Sequence, residues 1–227
     1  MERGTMRAWA VAAVLGVDLL MGCAAVPDRT VVPTTPVPLQ RRSASWKALR
    51  DRNVEIQAWD YSCGPAAVAT IMRYYYGDPV TEEKICRTLW PLLTESERLD
   101  RETGGFTIGD LEKAAHLLGY PNSQSTQTTL SVLLHLRAPV VVHLVCEENK
   151  HFAVYRGVRE DRVYLADPSR GNIRVPLEQF AREWSGVVLT IEREPSVFLE
   201  DFPLLVRDEA PIRPELEPVR RSLYRLR

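Results

Sequence analysis

The spacing of apolar residues changes once along this chain, and that change constrains the fold more than any other feature. Ala66, Ala67, Val68, Ile71, Met72 and Tyr75 recur at helical spacing, and Tyr76-Gly77-Asp78-Pro79 ends the run. Thr81-Glu-Glu-Lys84 reads as the capped start of a second helix; Thr107 caps a third over 109–118, closed by Gly119; 130–136 is a short fourth. From Val140 the pattern becomes that of strands, over 140–145, 151–158, 163–166 and 186–191, the last entered from a short helix at 177–184. Helices first and antiparallel strands later is an α+β order, with N-terminal helices packed on a C-terminal antiparallel sheet. Residues 54–57 are a further strand candidate, whereas 95–105, rich in Glu, Arg and Asp, has no period and ends in Gly104-Gly105.

The ends read differently. Arg3 and Arg7 precede an apolar run, 8–21, too short for a span of ~20 residues. Leu20-Met-Gly-Cys23 follows, so residues 1–23 are expected to be an export signal ending in a lipidated Cys23. Ala24 after that cysteine is what retention at the outer membrane, facing the periplasm, would look like. Residues 24–45 read as a tether, 46–194 as the folded domain, and 195–227, with Pro211, Pro214 and Pro218, as a Pro/Arg-rich tail in which 197–199 and 202–206 can dock.

A net charge of −1 gives no argument for nucleic acid as a partner. The chain holds no Gly-rich phosphate loop and no Cys or His spacing suited to a metal. Cys23 is the lipid candidate and Cys63 the reactive one; Cys86 and Cys146 are either bridged in an oxidising compartment or two small buried hydrophobes.

Cys63 opens the first long helix in Gln57-Ala-Trp-Asp-Tyr-Ser-Cys63-Gly64-Pro65. A thiol attacks as thiolate, and a helix N-terminus favours that anion. Pro65 is tolerated in a first turn, Gly64 lets a substrate backbone come close, and the Gln57 amide can donate to an oxyanion. His151, at the mouth of a strand, is the candidate base; His116 and His135 read as surface or packing residues and His143 as a core histidine.

Asp167 follows His151 by 16 residues, at the end of the next strand. An even, unbulged hairpin would set Asp167 opposite Val154, on the wrong face from His151. An odd loop, or one bulge, sets it opposite Ala153 on the same face, a diagonal of ~7 Å that side chains can close. We therefore expect an odd loop or a bulge.

These stretches, with Val163-Tyr-Leu-Ala-Asp167-Pro168 and 180–186, resemble the C39 cysteine peptidases, a papain-like family that includes the leader-cleaving domains of bacteriocin exporters. Gly77-Asp-Pro-Val-Thr81 and Gly105-Phe-Thr-Ile-Gly-Asp-Leu111 make the chain similar to the standalone exported members, such as the protease of functional-amyloid secretion systems. Ser62 stands where many transporter-linked members carry an acid. The resemblance implies a papain-like fold, Cys63 as nucleophile, His151 as base, Asp167 as orienting acid and Gln57 as oxyanion donor, with no cofactor. The expected substrate is a polypeptide, with a co-secreted protein as the candidate. Two other functions fit the same residues: a hydrolase of peptidoglycan peptides, and a non-catalytic binding or assembly lipoprotein.

Overall fold

The structure is a computed structural model that describes residues 45–146, 149–196 and 198–207. Cys23, the export signal, all but the last residue of the tether and the tail beyond 207 lie outside the described residues, as does the Cys146 side chain. Cys86 carries a free, half-buried thiol that burial pushes up to about 12.

Helices α1 (Trp46–Arg50), α2 (Cys63–Tyr74), α3 (Glu82–Leu89), α4 (Glu95–Gly104) and α5 (Ile108–Leu117) come first. Strand β1 (Gln124–Gln127) and helix α6 (Leu130–His135) precede β2 (Val140–Cys146), β3 (Asn149–Arg159), β4 (Arg162–Asp167) and β5 (Gly171–Pro176). Helix α7 (Leu177–Glu183) and β6 (Trp184–Thr190) follow. The strands form one antiparallel sheet in the order β1-β6-β2-β3-β4-β5, which agrees with the α+β expectation.

Strand alternation gives the sheet two apolar faces. Val141, Phe152, Val154, Ala166 and Leu189 pack with α2, whose residues 63–72 are all buried, and with Ile85, Leu111 and Ala115. Val142, Leu144, Ala153, Tyr155, Leu165 and Val188 pack with Leu133 of α6 and Phe180 of α7. Helix α2 is buried over 63–72, where Thr70 is the one polar side chain besides the Cys63 thiol, because it is enclosed between the sheet, α3 and α5; Arg73 in its last turn is exposed.

Several elements were not visible in the apolar pattern. Helix α4 has no buried residue and stands on local polar contacts: Thr94 and Glu97 form a capping box, and Arg101 bonds Asp110 at the start of α5. Strand β1 is a polar edge strand, Gln-Ser-Thr-Gln, paired to β6; β5 has six residues and the single turn α1 five. The strand expected at 54–57 does not form. Its Gln57 N–H instead donates to Pro168 O at 2.9 Å. Near the C-terminus Phe202 and Leu204 are buried in the α2 face of the core, Phe202 edge-on to Tyr75.

Candidate active site

The β3–β4 hairpin turns through Glu160 and Asp161, an even loop, with Arg159 opposite Arg162. Between Tyr155 and Gly157 the register shifts, leaving Arg156 as the extra residue, so that Val154 faces Ala166. Ala153 is therefore opposite Asp167, which is the bulged geometry expected from the count. Gly157 accepts the bulge at φ 144°, a conformation that side chains rarely adopt. Arg156 leaves the ladder to donate to Leu204 O at 2.8 Å and to Asn172.

His151 Nε2 lies 3.0 Å from Asp167 Oδ1. Asp167 is fully buried and its carboxylate is saturated: Oδ1 also accepts from Ser169 N (2.8 Å), Ser169 Oγ (2.7 Å) and Arg170 N (3.1 Å). Its Oδ2 accepts from Arg170 Nε at 2.8 Å and Nη2 at 2.7 Å. Burial would raise the Asp167 pKa, but the His151 contact, the Ser169 hydroxyl and the Arg170 charge hold it far below the usual carboxylate range. Burial likewise works against the charged form of His151. The bond to the Asp167 carboxylate, with the neighbouring Cys63 side chain, outweighs it and raises the imidazole to about 9. With Nε2 taken by Asp167, Nδ1 is the nitrogen left for Cys63.

Cys63 is buried at the first position of α2, and the first N–H groups of a helix have no acceptor within it. The close approach at Gly64 comes from within the protein rather than from a substrate: a Cβ there would meet the Leu111 side chain of α5 at 2.8 Å. Gly64 thus lets α5 pack against the helix that begins at Cys63.

Gln57 is placed less simply than expected. Its Nε2 donates to Trp59 O at 2.9 Å and reaches Asp60 O at 3.5 Å, while its Oε1 is buried with no partner among the described residues. One N–H is committed to the turn and the second is loosely held. The turn itself closes on Glu82, a residue the sequence presents only as the first position of a capped helix.

A cleft of about 690 Å³ opens onto Cys63. One wall is Asp60, Tyr61 and the segment 102–108; the other includes His143, Lys150 and Phe152. His143 is half-buried, bonded through Nδ1 to Ser185 Oγ at 2.9 Å, and lines this cleft; it is no core residue. Burial and then the Lys150 charge lower its pKa. His116 and His135 are exposed. Among the described residues no group of three or more His, Cys, Asp or Glu side chains is gathered as a metal site requires.

Residues 51–196 match the profile of the peptidase C39 family. The probable functional amyloid protease FapD of Pseudomonas fluorescens is 32% identical over 148 residues, 64% of this chain and 64% of that protein. FapD of Pseudomonas aeruginosa is 30% identical over 135 residues, 60% of this chain and 58% of that one. The chain thus spans about three fifths of the length of these relatives. The crystal structure of the peptidase domain of Streptococcus ComA, a bifunctional ABC transporter of a quorum-sensing pathway, superposes with a TM-score of 0.53. It covers 62% of this chain and 98% of that domain at 22% identity, so it speaks for the fold.

Proposed function

The chain belongs to the peptidase C39 family, and from that premise we propose that it hydrolyses peptide bonds through Cys63, His151 and Asp167. The observation that carries this reading is the buried Asp167 carboxylate on His151 Nε2 at 3.0 Å, with the Cys63 side chain also acting on the ring. An imidazole raised to about 9 is protonated at neutral pH, which favours a thiolate beside it.

The Cys63 sulfur attacks the substrate carbonyl carbon, and the C–S bond forms as the carbonyl electrons move to oxygen. The Cys63 N–H and the loosely held N–H of Gln57 are the donors for that oxyanion. His151 gives its Nδ1 proton to the amine as the C–N bond breaks. Neutral His151 then takes a proton from water, whose oxygen attacks the thioester; the C–S bond breaks, releasing the acid and restoring the thiolate and imidazolium. Asp167 keeps the ring in one orientation throughout.

The substrate is a polypeptide entering the cleft beside Cys63, and the likeness to functional amyloid proteases points to an amyloid-related, co-secreted chain. Lipid attachment at Cys23, with the domain facing the periplasm from the outer membrane, completes the reading. A radiolabelled fatty acid incorporated by the wild type and not by Cys23→Ala checks the anchor.

Labelling with a peptidyl vinyl sulfone at pH 7 tests the chemistry. Cys63 is expected to be alkylated in the wild type, not in Cys63→Ala, and far more slowly in His151→Ala. A wild type that stays unlabelled would reject catalysis and leave a binding or assembly protein; digestion of muropeptides in preference to proteins would move the substrate to the cell wall.

A further inference from the structure

Among the described residues Glu82 is the one carboxylate buried on the helix side of the site, 5% exposed at the start of α3. A carboxylate there needs partners, because an unpaired buried charge is costly. Among the described residues its hydrogen-bond partner is Ala58, in the segment between Gln57 and Cys63. Both of its oxygens accept from Ala58 N at 3.0 Å. Ser62 closes the same loop on itself: its Oγ donates to Trp59 O at 2.7 Å and accepts from Trp59 N at 3.2 Å. The turn that leads to Cys63 is therefore anchored at Ala58 on a side chain from another helix and closed internally by Ser62.

This arrangement fixes what the reaction needs. Gln57 uses one N–H on Trp59 O, inside the same loop, so the direction of its amide follows the position of that carbonyl. Ser62 caps α2 by position but makes no side-chain bond to the helix, so the direction of the Cys63 N–H is not set by a local cap either. Both oxyanion donors inherit their geometry from the loop, and the loop inherits its own from Glu82.

We propose that Glu82 is a positioning residue of the peptidase reaction: it holds the 57–62 turn so that the Gln57 amide and the Cys63 N–H converge on one oxyanion. The inference rests on the peptidase reading, and its role is distinct from that of Asp167. Asp167 acts on the proton carrier, whereas Glu82 acts on the electrostatic cradle.

The test compares the wild type with Glu82→Gln and with the milder Ser62→Ala, which removes one tether and keeps the carboxylate. A quenched-fluorescent peptide chosen from a library by wild-type cleavage gives kcat and KM. Iodoacetamide gives the alkylation rate of Cys63, which needs the thiolate and His151 but no oxyanion donor. For Glu82→Gln, kcat is expected to fall on the order of 10²-fold, the cost of a misplacement of about 1 Å. KM and the iodoacetamide rate should stay within about twofold, and Ser62→Ala should lose roughly a tenth as much. An unchanged kcat, or alkylation falling together with kcat, would overturn the proposal. Hydrogen exchange at the Ala58 amide needs no turnover: it should be slow in the wild type and fast in Glu82→Gln. Rapid exchange in the wild type rejects the Glu82 scaffold, whereas a slow amide in a chain that cleaves nothing rejects the peptidase reading instead.

Discussion

His151 and Asp167 stand on one hydrogen-bonded ladder, whereas Gln57 and Cys63 stand at the two ends of a loop held by side chains. On the ladder each position follows from its neighbours by pairing, and a single bulge at Arg156 decides which face Asp167 takes. In the loop nothing repeats: Glu82 arrives from α3, Pro168 O from beyond β4, and Leu111 from α5 closes on Gly64. The ladder half should therefore be sensitive to register and charge, and the loop half to single remote side chains.

Asp167→Asn strikes the ladder half hardest. Without its carboxylate kcat/KM is expected to fall by about 10³- to 10⁴-fold, as when an orienting aspartate is lost from such a site. Activity in the wild type should decline as pH rises through about 9, where His151 loses its proton, and the variant's decline should begin at lower pH. Stability carries the same sign. The folded pKa of His151 is above its ordinary 6.5, so its contribution is complete below about 6.5 and lost as pH rises through about 9. The melting temperature of Asp167→Asn should thus vary less across that window than that of the wild type. A loss under tenfold would break the comparison by showing that the ladder does not matter.

Phe202→Ala separates folding from chemistry. The ring is buried against Tyr75, and its removal should cost about 3–5 kcal/mol in denaturant unfolding while leaving the pH profile of the folded enzyme in place. A shifted profile would mean that the C-terminal segment reaches the site through Arg156 and Leu204.

Gly64→Ala sharpens the loop half. The added methyl meets Leu111 and should cost about 1–3 kcal/mol, much of it recovered in Gly64→Ala/Leu111→Ala when the pair is measured as a double-mutant cycle. Additive losses would place the strain elsewhere.

Thr94→Ala gives the smallest effect. Loss of the capping box should cost about 1 kcal/mol by thermal unfolding, because α4 has no buried side chain to hold it. Helix α4 ends at Gly104 on the cleft wall, so a rise in KM at unchanged kcat would show that its frayed end touches substrate.

Much of the ladder half could be read from residue counts. Strand alternation is local, so the distance from His151 to Asp167 already required a bulge or an odd loop, and the helix start at Cys63 was announced by Gly64-Pro65 and the apolar face behind it. Helix α4 escaped because its stabilisation is polar and carries no period; β1 escaped because an edge strand of Gln, Ser and Thr takes its shape from β6. His143 looked like a core residue within an apolar run, yet its ring faces the cleft and Ser185. Gln57 was found as a residue but not as a geometry, since its bonds depend on carbonyls positioned by the fold.

The order of local signals determined the α+β architecture, the helix that presents Cys63 and the parity that brings Asp167 to His151, because helix periods, caps and strand alternation are properties of neighbours in the chain. Tertiary structure alone decided that Glu82 would meet Ala58 in the loop before Cys63, that Gly64 would accommodate Leu111, and that Phe202 and Leu204 would join the core. Each of those contacts joins residues far apart in sequence, so its physical content, a satisfied buried charge or a filled space, exists only once the chain has closed on itself.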